Sequence, residues 1–530
     1  MKSLSACGAT RPCSSISLLH LRIFFLAVFI AGVSISAHAL DYYWVGGSGM
    51  WSDHNNHWAT SSGGNVFHDQ VPQSMDNVHF DANSFPAGGT VTIDPTIIYC
   101  MDMDWTGAGN MPVFEGPADK QVWIYGSLTL ISGMEWKVMG EVHFRAFQGG
   151  HTITSGGKAF LSFVFFDGAG GSWTLLDAFQ VNYYLQHSEG ALYTNGQDMT
   201  VETQFISSGS PTRTLHFGSS NIFIGTTGSG FTDFLIGAGP FNFDAGTSTI
   251  HMKGIGVSYG HYFESGNHTY YNLVCDVPTQ IYGNNNFHSA TFLKGAKIYG
   301  NNYYDILTLT TGQVYELAGG STQSINSGGT FNGNGSCMDF LTIVSLSTGN
   351  AAQIEKTTGT VALSYVVLQD IHAIGGATFS AANSADLGNN AGWTFLPGAP
   401  RSLYWVGGGG DWNDSAHWSL VSGGSGGECI PTPFDNVFFD QNSGFTQLGE
   451  QVNINVPIAF CQDMDWTGVL NSPVLSGGGQ NKLFIFGSLK FVPDMVLSFS
   501  GEVHFMAHTT GKTITSGGKA FLSFVFFDGA

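Results

Sequence analysis

A repeat of domain length constrains the fold of this 530-residue chain more than any other feature. Tyr43–Gly47 returns as Tyr404–Gly408, and Thr152–Ala169 returns unchanged as Thr513–Ala530, each time 361 residues later. This period is far longer than the roughly 20–50 residues of an ordinary solenoid repeat. The sequence therefore predicts a whole domain that is duplicated in tandem.

The repeat also predicts the domain boundaries. We expect a first unit over residues 40–395, with an N-terminal cap at about 41–99, and a linker rich in Pro and Gly at 396–401. A second unit begins at 402 and stops at 530, where the first copy continues with further apolar runs. Because a domain that stopped there would leave strand edges open, we expect a fragment whose partners include the remainder of the same long chain.

Residues 1–39 have the three parts of a secretory signal peptide. Basic residues precede the apolar run Ile23–Ile35, and an Ala-x-Ala site follows it and ends at Ala39. The run is shorter than the ~20 residues that a membrane-spanning helix needs, although an uncleaved anchor is the alternative. We therefore expect a secreted protein with no membrane insertion after cleavage, in a compartment that permits disulfides.

The charge balance excludes nucleic acid as a partner. Lys and Arg total 17 against 38 Asp and Glu, a net charge of -21, and no basic stripe is present to neutralise phosphates. Aromatic residues make up 14% of the chain and charged residues 10%, which is the opposite of a disordered composition. Most of the chain should therefore fold.

Short apolar runs separated by turn residues predict an all-β fold. Val122–Tyr125, Val142–Phe144 and Asn221–Ile224 are such runs, with Gly, Asn, Ser and Asp between them. A sandwich domain is too small for the unit, and a propeller would repeat every ~40–50 residues. A parallel β-helix accepts stacked apolar residues inside and Gly or Asn at its turns. We therefore expect a right-handed parallel β-helix, or β-solenoid, with a Trp- and Gly-rich N-terminal cap.

Carboxylate and amide side chains recur near the start of both copies, and their oxygens suit Ca²⁺. The residues are Asp76, Asp81, Asn83, Asp435, Asp440 and Asn442. Their spacing matches no EF-hand, and the alternative is that they cap turns. Ca²⁺ is the one cofactor that this pattern suggests.

Two further clusters are candidates for chemistry. Asp102 and Asp104, repeated as Asp463 and Asp465, alternate along a strand and so share one face. Paired carboxylates can perform acid–base hydrolysis, and the alternative is an exposed strand face. A second cluster joins Trp and His near the start of each copy, and its interpretations are a metal site, sugar stacking or a packed cap. Its members are Trp51, His54, His57, Trp58, Trp412, His417 and Trp418.

An odd number of cysteines follows the predicted cleavage site, so at least one has no partner within this chain. They are Cys100, Cys275, Cys337, Cys429 and Cys461. Cys429 and Cys461 lie near the two ends of the segment that leads from the cap to the first coil, and we expect them to form a disulfide. Gln70 stands where Cys429 would align in the first copy, so that copy would leave Cys100 unpaired.

Three segments resemble repeat units of secreted bacterial β-helix proteins of the adhesin-like type. They are Trp44–Asp53, Asp76–Ser84 and Asn383–Phe395, with copies of the first two at Trp405–Asp414 and Asp435–Ser443. Proteins of this type include gliding-motility-associated surface proteins of Gram-negative bacteria, which are exported by type IX secretion. The resemblance covers nearly all of the mature chain and implies surface display, adhesion or matrix formation.

Three classes of function remain open. Duplication of a whole domain, low charge and the lack of a recognisable catalytic set favour a secreted cell-surface structural or adhesin-like protein. It would not be an enzyme, and it would contact a surface glycan or matrix polymer. The alternatives are a glycan-binding module and a β-helix polysaccharide lyase or hydrolase. Convergent Asp, Lys and Arg in a groove would indicate the enzyme, whereas exposed aromatic residues would indicate glycan binding.

Overall fold

The computed structural model describes residues 39–225, 232–254 and 260–529. The predicted signal peptide, apart from Ala39, lies outside the described residues. Strands account for 45% of the described residues and helices for 1%, which confirms the all-β class. Within the described ranges, no helix is both long enough and apolar enough to cross a membrane.

Two sheets begin at the start of the first copy, sheet A with ten strands and sheet B with four. Sheet A comprises Asp41–Trp44, Trp58–Ala59, Asn77–His79, Met103–Asp104, Leu128–Thr129, His151–Thr154, Ser172–Leu175, Gly190–Tyr193, Arg213–His216 and Phe241–Asp244. Sheet B comprises Gly49–Met50, Thr90–Thr92, Val113–Gly116 and Glu135–Val138.

Three more sheets, C, D and E, complete the first copy. Sheet C comprises Ile97–Cys100, Gln121–Ile124, Glu141–Phe144, Val164–Phe166, Tyr184–His187, Gln204–Ser207, Thr232–Ile236, His261–Glu264, Thr279–Tyr282, Ala296–Ile298, Val314–Leu317, Leu341–Ser345, Val366–Gln369 and Ala385–Asp386. Sheet D comprises Ala159–Phe160, Phe179–Val181, Met199–Val201, Asn221–Ile224, Thr249–Met252, Thr269–Cys275, Asn286–Phe292, Asn302–Leu309, Thr322–Asn332, Ala352–Lys356 and Ile371–Ile374. Sheet E comprises Thr360–Ser364, Thr378–Ala382 and Trp393–Leu396.

The second copy forms sheets F, G and H. Sheet F comprises Ser402–Trp405, Trp418–Ser419, Asn436–Phe438, Met464–Asp465, Leu489–Lys490 and Ile514–Thr515. Sheet G comprises Gly410–Asp411, Gln451–Ile454, Val474–Gly477 and Val496–Phe499, and sheet H comprises Ile458–Cys461, Lys482–Ile485, Glu502–Phe505 and Val525–Phe527. The described helices are a four-residue α-helix, His54–His57, and a 3₁₀ turn, Ser415–His417.

Strands pair in parallel with the strand one coil further along the chain. Val78 pairs with Met103, Met103 with Leu128 and Leu128 with Ile153, so apolar side chains of successive coils lie above one another. Burying each such side chain contributes roughly 1.5–3 kcal/mol. This stacking of coils is compatible with an open, solenoid-like arrangement.

Antiparallel pairing between named strands occurs, within the described ranges, at the start of each copy. Trp44 pairs with Trp58 in sheet A, and Trp405 pairs with Trp418 in sheet F. In each copy, the strand that begins with the second Trp occupies the outer edge of its sheet. Because an uncovered edge strand invites pairing with another chain, a short reversed strand protects the first coil.

The sheets change where sheet A ends, after Phe241–Asp244. From that point the strands of sheet D lengthen, from four residues in Thr249–Met252 to seven in Thr269–Cys275 and eleven in Thr322–Asn332. A step therefore forms in the surface between the last strand of sheet A and the first long strands of sheet D.

A ladder of asparagines marks the turns of these later coils. The Asn267 side-chain oxygen accepts the backbone N–H of Asn284 at 2.6 Å, and that of Asn284 accepts the N–H of Asn301 at 2.7 Å. Asn267 also has a φ of 65°, a left-handed conformation that Asn tolerates better than most residues. The ladder satisfies backbone donors at the turns and keeps successive coils in register.

Candidate functional site

Asp76 and Asp435 hold the entry turn of each copy. Asp76 is 5% exposed, and its carboxylate accepts the backbone N–H groups of Leu40 at 3.1 Å and Gln73 at 2.9 Å. Asp435 accepts the backbone N–H of Arg401 at 3.1 Å and its guanidinium at 2.7 Å. Both carboxylates therefore join the first strand of a copy to the turn that precedes the next coil.

The remaining members of the predicted Ca²⁺ site cap a different turn. Asp81 accepts the backbone N–H of Asn83 at 2.8 Å, and Asp440 accepts that of Asn442 at 2.8 Å. Among the described residues, no group of three or more His, Cys, Asp or Glu side chains could hold a metal ion. These contacts fit the turn-capping alternative.

The alternating carboxylates also serve turns. Asp102 accepts the backbone N–H of Ser127 at 2.6 Å, and Asp104 accepts the N–H two residues later at 2.8 Å. Asp463 and Asp465 repeat these contacts at 2.6 and 2.8 Å. Asp102 and Asp463 are therefore oriented by the next coil, and Asp104 and Asp465 by their own turn. This geometry fits the exposed strand face better than a hydrolytic pair.

The Trp and His residues near the start of each copy form a packed cluster. Trp51 is 1% exposed and Trp58 fully buried, with ring centroids 4.8 Å apart. His57 stacks on Trp44 at 4.5 Å, and its Nδ1 lies 2.7 Å from the Val45 carbonyl oxygen. The corresponding residues of the second copy are Trp405, Trp412, His417 and Trp418. Because these Trp rings are buried, they cannot stack on a sugar, and the arrangement fits a packed cap.

The predicted disulfide between Cys429 and Cys461 is wrong. Cys429 instead bonds to Cys337 of the first copy, with Cα atoms 5.5 Å apart, and Cys461 is a buried free thiol. Cys461 ends a strand in which Ala459 is also buried, so its side chain points into the core. Cys100, its counterpart in the first copy, is likewise free and buried.

The disulfide lies beside a hydrophobic junction between the two copies. Phe340 of the first copy packs on Phe460 of the second, with ring centroids 5.3 Å apart. The buried cluster at the junction comprises Val367, Ala385, Leu387, Phe460, Phe484, Phe486 and Met506. A covalent bond and a shared apolar core therefore join the copies.

The junction face of sheet H has a counterpart on sheet C, 361 residues earlier in the chain. Phe460, Phe484, Phe486 and Met506 are replaced there by Tyr99, Trp123, Tyr125 and Arg145, which are partly exposed. The Arg145 guanidinium lies over the Trp123 ring at 4.2 Å. The same sheet position is thus apolar where a neighbour covers it and amphipathic where it is open.

A groove of about 580 Å³ lies at the step between sheets A and D. Its lining includes Phe243, Asp244, Tyr271, Asn286, His288, Asp305 and Asn326. The volume falls in the range of roughly 300–1,000 Å³ that is typical of small-molecule sites. The groove is therefore large enough to hold a small ligand.

One wall of the groove is a row of Tyr, His and Asp on three successive coils. Tyr271 stacks on His288 with ring centroids 4.4 Å apart, and His288 Nδ1 lies 2.9 Å from Asp305 Oδ2. The Asn326 side-chain amide donates to the other oxygen of Asp305 at 2.7 Å. The His288 and Asp305 side chains remain 42% and 47% exposed, so both can contact a ligand.

Asp244, another lining residue, belongs to a second row of the same composition, whose Tyr193 and His216 are not part of the groove lining. Tyr193 stacks on His216 at 4.8 Å, and His216 Nδ1 lies 3.2 Å from Asp244 Oδ2. The Gly246 backbone N–H donates to the other oxygen of Asp244 at 2.9 Å. Asp244 ends sheet A and faces into the groove, so the two rows bring one carboxylate each to it.

Both carboxylates are ionised near neutral pH, and hydrogen bonds favour their ionised form further. Those from Asn326 and His288 lower the pKa of Asp305 below its usual value. Those from the Gly246 N–H and His216 lower the pKa of Asp244. Among the described residues that line the groove, none is Lys or Arg, so its walls are negatively charged.

None of these groove residues is among the residues singled out in the sequence. The available signal is a short period, because Tyr271, His288 and Asp305 recur at the same interval as Asn267 and Asn284 of the asparagine ladder.

Comparison of the chain with protein-family models, with curated proteins and with solved structures finds no match.

Proposed function

We propose that this chain is a secreted, non-catalytic structural or adhesive protein of a bacterial cell surface. We further propose that its coils wind as a right-handed parallel β-helix and that the Trp-rich start of each copy is its cap. The junction carries this proposal, because a disulfide and a shared hydrophobic cluster join two copies of one domain into one array. Domains that act independently need no such bond.

The use of the polar side chains supports a structural role. Both carboxylate clusters that the sequence offered for chemistry accept backbone N–H groups of turns instead. Cys275 is a buried free thiol, and burial raises its pKa to about 12, far from the lowered pKa of a nucleophilic cysteine. These groups stabilise coils.

Export and partners complete the proposal. A signal peptide over residues 1–39 would direct the chain out of a Gram-negative cell, and type IX secretion would place it at the surface. Its partners would be a surface glycan or matrix polymer and the remainder of the same long chain. Repeated units would raise avidity, since one bound unit increases the effective concentration of the next.

Adhesion under flow tests the proposal with the full chain. Beads that carry the protein should be retained on films of extracellular polysaccharide, and albumin-coated beads should not. The same films are assayed for reducing and unsaturated sugar ends. Retention without released ends is the expected result. Release of either kind of end would identify a polysaccharide hydrolase or lyase, and absence of retention would contradict adhesion.

A further inference from the structure

The groove at the step between sheets A and D offers fixed hydrogen-bond acceptors. Each carboxylate is held by two donors, Asp305 by Asn326 and His288, and Asp244 by Gly246 and His216. A carboxylate has about four acceptor positions, so capacity remains on each for a ligand. Because the two carboxylates are already oriented, a ligand need not pay for ordering them.

These fixed hydrogen-bond acceptors favour a ligand that carries many hydrogen-bond donors. Hydroxyl groups donate to carboxylates in short, charge-assisted hydrogen bonds, and a sugar ring presents several of them. The amides of Asn286 and Asn326 lie on the same lining and supply both donors and acceptors. The polar chemistry of the groove therefore matches a polyhydroxylated ring.

Aromatic side chains supply the apolar part of the lining. Phe243 and Tyr271 are both partly exposed there. Aromatic rings combine a large apolar surface with, in Tyr, a polar tip. A sugar ring has apolar C–H faces and polar edges, so it can contact these rings and the carboxylates together.

The charge of the groove lining restricts the class of ligand further. The described lining has two ionised carboxylates and no Lys or Arg, so an anionic uronate or sulfated sugar would be repelled. We propose that this groove is a binding site for neutral glycans. The proposal rests on the adhesive function proposed above, and it names the ligand class and the place where the chain binds it.

The chain contains a matched control outside the groove. Tyr43 stacks on His79 at 4.8 Å, and His79 Nε2 lies 3.0 Å from Asp41 Oδ1. Hydrogen bonds from His79 and Asn77 lower the pKa of Asp41. Asp41→Asn and Tyr43→Ala therefore make the same chemical change as Asp305→Asn and Tyr271→Ala, at a place that lies away from the groove.

Calorimetric titration of the full chain tests the inference. The probes are neutral hexasaccharides, one each of β-1,4-glucan, β-1,3-glucan and mannan, with hexagalacturonate as the anionic comparison. At least one neutral probe should bind, more tightly than hexagalacturonate. Asp305→Asn and Tyr271→Ala should each weaken it by about tenfold or more, and the two control variants should leave Kd unchanged. Asp244→Asn, at the lining residue that sheet A contributes, provides a second variant if one of the first pair fails to fold.

The outcomes separate this inference from the adhesive function. If beads adhere to polysaccharide films but the groove variants bind and adhere like wild type, the groove assignment is overturned and adhesion stands. Tighter binding of hexagalacturonate, or no binding of any neutral probe, also overturns the assignment. If wild-type beads do not adhere but the groove variants lose neutral-sugar binding, adhesion is contradicted and the site is retained.

Discussion

Replacing Cys337 and Cys429 with Ser should loosen the junction between the two copies and leave the early coils intact. The disulfide closes a loop of 92 residues. By loop-closure entropy, a cross-link over this length stabilises the folded junction by about 4.6 kcal/mol. That free energy corresponds to roughly three decades in the equilibrium between closed and open junction.

Hydrogen–deuterium exchange of the full chain measures this change strand by strand. Amides in Val366–Gln369 and Ser402–Trp405, which lie inside the loop, should exchange up to about a thousandfold faster in the double variant. Glu141–Phe144, far from the loop in sequence, should exchange at the wild-type rate. Dithiothreitol should reproduce the effect in the wild type and change nothing in the variant. Unchanged exchange inside the loop, or equal acceleration in Glu141–Phe144, would refute the reasoning.

Three other predictions concern the coils. A Cβ at Gly49 would clash with His57 Nε2, at 2.1 Å, whereas one at Gly133 would meet nothing within 4 Å. Thermal unfolding should therefore show that Gly49→Ala is less stable than wild type by about 1–3 kcal/mol. Gly133→Ala should unfold close to the wild-type temperature. Burial lowers the pKa of His187 to about 4, so the unfolded state gains a proton near pH 6.5 that the native state does not. Stability should thus fall between pH 6.5 and 4, by about 3 kcal/mol in all, and urea unfolding at pH 7.5 and 4.5 should show a smaller loss in His187→Gln. Buried Cys275, its pKa raised to about 12, should react with a thiol reagent at pH 8 only after unfolding, and labelling in the native state would contradict that burial.

Local patterns predicted the fold class because strand formation and burial depend on neighbours in sequence. Val122 and Ile124 alternate with more polar neighbours, and both are buried. The paired Trp residues of the two copies recur with the same cross-strand register, Trp44 with Trp58 and Trp405 with Trp418. The handedness of the coils, by contrast, depends on how the turns connect the sheets, which no local pattern determines.

The disulfide could not be predicted from spacing within one copy. Cys337 and Cys429 meet because the last coils of the first copy pack against the start of the second. Alternation could not exclude the wrong partner, Cys461, because its strand Ile458–Cys461 is apolar throughout and its last three residues are all buried. Predicting the disulfide would have required knowing which parts of the two copies are in contact.

The groove was missed for a related reason. Asp244 and Asp305 reach it from different sheets, and the space between them exists because one sheet ends where another widens. No sequence motif marks the end of sheet A or the widening of sheet D. The predicted Ca²⁺ ligands, in contrast, do share a motif, and its cause is the turn that each carboxylate caps.

The position of the disulfide has a mechanical consequence for the adhesive function proposed above. When tension is applied along the chain, a taut cross-link carries it directly from Cys337 to Cys429. The residues between them, which include the final coils of the first copy and the buried Trp405 and Trp418 of the second, then lie off the load path. The segment where two copies meet is thereby shielded from pulling, and the coils on either side would yield first.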